Sequence, residues 1–278
     1  MKNKLRSRLT RFAIYLILVV TGIFCVYPIL WVIMASLNPG TSLFSATLIP
    51  ERLTVIHYVN LFTKHNFGLW YKNTMNIAFW TMLASVVLVM PTAYALSQFR
   101  FKGRKSMLMT MLVLQMFPGF MSMIAIFLLL LQLRLLDTHI GLILVYAGGS
   151  IPFGTWLVKG FFDGLPRSLF EAAKIDGASN TTVFAKIMLP LSTPIVTFIA
   201  LTNFIAPWMD FILARLVLRS EERKTLAIGL FEMVTGHMHT EFTMFAAGSV
   251  MVAVPITILF VFLQKYIVSG LTEGASKI

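Results

Sequence analysis

Few side chains in these 278 residues have the type and spacing to do chemistry. The most organised group is Ser168-Leu169-Phe170-Glu171, a serine followed three residues on by a glutamate. That spacing can close a helix start reciprocally: the serine oxygen accepts from an amide in the first turn while the glutamate reaches back to the serine amide. Pro166 supports a start nearby, and Gly177 can take the left-handed conformation that ends a short helix. Asn180 or Thr181 can cap a second helix, whose Val183, Phe184, Ile187 and Met188 recur at helical spacing before Pro190 opens the next apolar run. Phosphate chemistry fails the same spacing test. Gly103-Arg104-Lys105-Ser106 puts an arginine where a phosphate loop needs glycine before lysine, and no such loop occurs elsewhere.

The remaining candidates are isolated. Cys25 is the single cysteine, so disulfide frameworks and cysteine metal sites drop out, and a buried, inert thiol is expected. Gly236, His237, His239 and Glu241 put two histidines and a carboxylate on one loop, too few donors to assign a metal site. Asp210, in Pro207-Trp208-Met209-Asp210-Phe211, reads either as a polar helix end at a membrane interface or, with Trp208, as the rim of a conduit. No residue is assigned a catalytic role.

The elements that must position these residues follow from composition. The chain is 58% hydrophobic and 12% charged, with a mean hydropathy of +0.82, whereas soluble domains carry about 25% charged residues. Six apolar runs are free of Asp, Glu, Lys and Arg: Phe12 to Leu37, Asn73 to Phe99, Ser106 to Leu133, Ile140 to Val158, Ile187 to Met209, and Phe242 to Gln264. Each is long enough to cross a hydrocarbon core about 30 Å thick as a helix, and none shows the short alternating pattern of a barrel strand. Lipid leaves no backbone group unpaired, so the fold class is all-α, a polytopic membrane protein of six helices.

The net charge of +12 fits this topology. With the N-terminus inside, 15 of the 23 lysines and arginines fall on the cytoplasmic side, as the positive-inside bias requires. That distribution explains the basic pI without a nucleic-acid ligand, for which no recognised motif is present. The basic stretch Lys2 to Arg11 and the long apolar run after it read as a retained first helix, not a cleaved leader. The spans carry almost no ionisable groups, which argues against a carrier that binds a driving ion in the membrane. Met116-Phe117-Pro118-Gly119 signals a kink in the third span, and Pro255 lies inside the sixth.

The segment between the fourth and fifth spans, from Asp163 to Leu189, thus becomes two short helices on the cytoplasmic side. Leu169, Phe170, Ala172, Ala173 and Ile175 give the first an apolar face that has no reason to exist unless something covers it. It reads as a docking knob.

Glu171-Ala172-Ala173-Lys174-Ile175-Asp176-Gly177-Ala178, followed by Phe184, Ile187, Leu189-Pro190 and Pro194, resembles the EAA signature of type I ABC importer permeases, the MetI-like fold. The chain's ending, Pro255 to Ile258 and on through Gly270 to Gly274, resembles the MalG-type permeases of maltose and maltodextrin importers. The resemblance implies an assembly with a second, MalF-like permease, two copies of an ABC ATPase and an extracytoplasmic sugar-binding protein. ATP and Mg²⁺ would reside on the ATPase, and this chain would bind no cofactor.

Carried over by residue, Glu171, Ala172, Ala173, Asp176 and Gly177 would contact the ATPase, and Leu189 and Pro190 would set the second helix against the membrane. Gly236 and His237 would touch the binding protein. The implied organisation is a cytoplasmic N-terminus and first helix over 1–37, an external segment over 38–72, a five-helix permease core over 73–267 with the coupling loop at 163–190, and a cytoplasmic tail over 268–278. The expected cargo is maltodextrin-type sugar. A galacto-oligosaccharide or another oligosaccharide on the same machinery is the alternative, and a stand-alone channel or ion-coupled carrier the more distant one.

Overall fold

The apolar runs fold as helices, and no strand occurs among the described residues. The computed structural model describes residues 2–41, 49–235 and 241–275, and the side chains of 10–41, 49–235 and 241–266. The helices are α1 (Lys2–Ser36), α2 (Ile56–Thr63), α3 (Phe67–Gln98), α4 (Arg104–Met116), α5 (Met123–Gln132), α6 (His139–Asp163), α7 (Arg167–Ile175), α8 (Asn180–Val183), α9 (Leu189–Leu191), α10 (Thr193–Met209), α11 (Ile212–Val217), α12 (Leu226–Thr235) and α13 (Phe242–Ala275).

Among the described residues, four stretches are long and apolar enough to cross a membrane singly: Thr10–Ser36, Phe67–Gln98, His139–Asp163 and Phe242–Tyr266. Two others are bent pairs, Arg104–Met116 with Gly119–Gln132 at 96° and Asn180–Leu191 with Thr193–Met209 at 79°. Counting each pair as one span gives the six that hydropathy predicts. The first bend is a break where the sequence suggests a kink. A residue before proline is pushed out of the helical region, and Phe117 and Pro118 are both extended, with ψ of 129° and 124°. The second bend falls at Ser192, beside Pro194, whose ring supplies no amide to continue the ladder.

The chain divides into two compact units, each held by its own contacts. One comprises Met1–Asn66 and Leu230–Val254. Within it, the Tyr58 and Ser36 hydroxyls share a hydrogen bond of 2.7 Å, His57 Nε2 lies 2.7 Å from the Asn38 carbonyl, and Thr243 donates to the Gly40 carbonyl. α2 is therefore fastened to the end of α1 by polar contacts that the aromatic character of this segment does not announce. Cys25 is exposed, contrary to the buried thiol expected, because Thr10 to Leu30 of α1 carry no cover from this chain. Glu232 to Thr235 belong to α12 and Phe242 onward to α13.

The other unit comprises Phe67–Gly229 and Pro255–Ile278. α3, α6 and α10 form its centre. Val89, Val158 and Ile199 meet there, and Gly154 lets α6 approach so closely that an added Cβ would sit 3.0 Å from Val89. Small polar groups lock the three helices: Ser150 donates to Ser85, and Ser85 donates to Asn203 Oδ1 at 3.1 Å. Away from water such bonds have few competing partners, so they fix register between otherwise interchangeable apolar faces.

Candidate functional site

α7 is short, amphipathic and closed at its C-terminus by backbone geometry. Gly177 has φ +80°, its amide donates to the Lys174 carbonyl, and the Ala178 amide donates to the Ala173 carbonyl. This pair of bonds is the Schellman closure that the glycine promises. Lys174 Nζ adds a bond of 3.1 Å to the Ala178 carbonyl. The helix start differs from expectation. α7 begins at Arg167 with Pro166 as its extended cap and no side-chain cap bond, so Ser168 lies inside the first turn and the reciprocal box with Glu171 does not form. Proline already sets the entry angle and needs no amide partner, which moves the start one residue ahead of the serine.

The apolar residues of α7 divide between two faces. Phe170 is 8% exposed and Ala173 9%, both packed into the cluster with Val89, Met90, Tyr94 and Phe162, whereas Leu169 is 42% and Ile175 86% exposed. Ala172, Asp176, Gly177 and Glu171 are exposed as well. The knob is therefore anchored by Phe170 and Ala173 and presents Leu169, Ala172 and Ile175. Ala173, read from sequence as part of the presented face, turns into its own core.

The second segment starts at Asn180 with Ser179 as its cap, one residue before the positions predicted; the serine oxygen accepts from the Thr182 amide at 3.1 Å. Residues Phe184–Met188 then form a π turn, in which the Leu189 amide reaches the Phe184 carbonyl. Leu189 is half-buried against the same cluster and Pro190 is exposed. Tyr94, which sequence reasoning passed over, joins this segment to α3: its hydroxyl donates to the Asn180 carbonyl at 3.1 Å and its ring lies 5.0 Å from that of Phe184. A tyrosine near the end of an apolar helix was the available signal, since a buried phenol usually finds an acceptor.

Trp208 is 3% exposed, edge-on to Tyr71 at 5.4 Å and beside Phe204. Asp210 ends α10 as a half-buried group, accepting from the Tyr146 hydroxyl at 2.5 Å and from the Leu213 amide. Gly236 and His237 lie outside the described residues.

The sequence description of the family "Binding-protein-dependent transport system inner membrane component" matches residues 90–273. The chain belongs to this family. It is thus a transport component and a multi-pass membrane protein, and α7 with its partner segment falls inside the matched region. Among its relatives in the family, the galactooligosaccharides transport system permease protein GanQ of Bacillus subtilis is 46% identical over 95% of this chain and 94% of its own length. The maltodextrin transport system permease protein MdxG of the same organism is 39% identical, covering 97% of each chain. The all-α permease fold is shared with a solved bacterial ABC transporter that imports the acidic polysaccharide alginate, at a TM-score of 0.82 and 25% identity over 93% of this chain and 96% of that one.

Proposed function

We propose that this permease carries an oligosaccharide inward and that α7 is the point at which a separate ATPase drives it. The observation that carries this reading is the construction of α7: one face anchored on α3 and α6 by Phe170 and Ala173, the other offering Leu169, Ala172 and Ile175 beside an exposed Glu171. A helix so held moves as a body with the bundle, so a partner that grips its outer face can displace membrane helices. Nucleotide drives the change only through unequal affinity of the assembly for its two states. In this scheme ATP and Mg²⁺ belong to two copies of the ATPase, a second permease completes the conduit, an external binding protein delivers the sugar, and both termini are cytoplasmic. Gly236 and His237 would meet the binding protein.

Asp210 is the better placed of the two conduit candidates, being half exposed and oriented by Tyr146, while Trp208 is enclosed by its own chain. The side chains around the first bend, Met116, Phe117, Phe120 and Met121, are exposed and would face the second permease or the passage. The higher identity to a galacto-oligosaccharide permease favours that cargo over the maltodextrin expected from sequence; a panel of labelled β-galactosyl and α-glucosyl chains offered for ATP-dependent uptake decides between them.

Gly177 tests the coupling role. Its φ of +80° is strained for a residue with a Cβ, although no neighbour stands within 4 Å, and the strain amounts to about 1–3 kcal/mol. Gly177→Val is expected to insert normally, lower sugar uptake about tenfold or more, and leave ATP hydrolysis running without transport. Uptake equal to that of the unmodified protein would remove α7 from the mechanism.

A further inference from the structure

Two adjoining cavities at the start of α4 share Arg100 and Arg104. The first, about 450 Å³, is also lined by Arg167, Asp163 and Glu171. Asp163 is already engaged, one oxygen by Ser97 at 2.7 Å and the other by Lys159. Three guanidinium groups therefore face Glu171 as the remaining carboxylate, and among the described residues none of the three forms an ion pair. Arg104 reaches the Ser97 carbonyl with Nη2 at 3.4 Å, while its buried Nε has no partner. Three arginines against one unengaged carboxylate leave the cavity with an excess of positive charge, which favours an anion that the chain itself does not supply.

The second cavity, about 420 Å³, adds Lys105 to the two arginines and is walled by Phe101 and Leu108. The Trp156 indole donates to the Leu108 carbonyl at 3.0 Å and ties that wall to α6. Beyond it the surface of α4 continues apolar and exposed through Met107, Met109 and Leu112. A free anion has no use for an apolar wall leading along a membrane helix; a phosphodiester with acyl chains does. Arginine forks match phosphate oxygens in pairs, and basic pockets beside membrane helices hold lipid headgroups.

We propose that Arg100, Arg104 and Lys105 hold the headgroup phosphate of an anionic phospholipid, with its first acyl carbons along Phe101 and Leu108. The site depends on the chain's place in the membrane and not on its cargo. The test is lipid retention by the purified full chain in neutral detergent, read by native mass spectrometry with phosphatidylglycerol and phosphatidylcholine in equal amounts. The unmodified protein should retain phosphatidylglycerol preferentially. Arg100→Gln and Arg104→Gln should each reduce that preference about fivefold, the weight of one surface cation, and Lys64→Gln should leave it unchanged. Unaltered preference in both arginine variants would overturn the proposal. So would displacement of the lipid by inorganic phosphate at the same headgroup concentration, which would make the site one for free phosphate, or by the ATPase, which would make it a protein interface.

Discussion

Asp137 shows how a single residue can hold a loop without leaving a trace in the sequence. Its φ of +54° aims the carboxylate at the stretch after α11, where Oδ1 accepts from the Arg219 amide at 2.8 Å and the Ser220 amide at 3.0 Å, and Oδ2 from the Ser220 hydroxyl. Partial desolvation pushes its pKa up, but the bonds from Ser220 and Arg219 and the nearby Arg223 charge prevail and hold it below the usual carboxylate value. A carboxyl with a depressed pKa stabilises the folded state above its unfolded pKa of about 3.9, and the contribution is lost as pH falls through the folded value. Asp137→Asn should therefore lower the Tm at neutral pH and shrink the loss of stability on acidification below about pH 4, both read by thermal unfolding in detergent. An acid slope identical to that of the parent would refute the clamp. One sequence does not disclose that residue 137 pairs with residue 220; Gly177 is legible because its demand for positive φ arises within its own helix end.

At the scale of elements, α7 separates a buried anchor from an exposed face. Phe170 fills a buried site against α3 and α6, and Phe170→Ala should cost about 3–5 kcal/mol of stability as large-to-small core changes do. Ile175 is 86% exposed, so Ile175→Asp should leave thermal stability within about 0.5 kcal/mol, as surface changes usually do, while weakening co-purification of the ATPase. If Ile175→Asp unfolds the protein and Phe170→Ala does not, the assignment of faces is inverted. Helical spacing and a terminal glycine made α7 and its end readable. Its start was misplaced because Pro166 and Ser168 both signal one, and its inward face was invisible because Ala172 and Ala173 are chemically alike; only packing against Tyr94 and Phe162 distinguishes them.

At the scale of the molecule, hydropathy located the candidate spans found among the described residues because lipid imposes one requirement on all of them. It could not report the bends of 96° and 79° within two of the apolar runs, since the size of a bend depends on what the freed backbone finds nearby. The proposed cargo was equally out of reach, because an oligosaccharide is recognised by scattered polar groups that form no motif. The account rests on an ATPase gripping the outer face of α7, and cysteine cross-linking tests that contact directly. With Cys25→Ser removing the native thiol, Ile175→Cys in the assembled transporter should join to the ATPase through a short bifunctional maleimide and give one product of summed mass, whereas Lys64→Cys should not. Reaction of Ile175→Cys with a membrane-impermeant maleimide from outside intact cells, and no product with the ATPase, would contradict it.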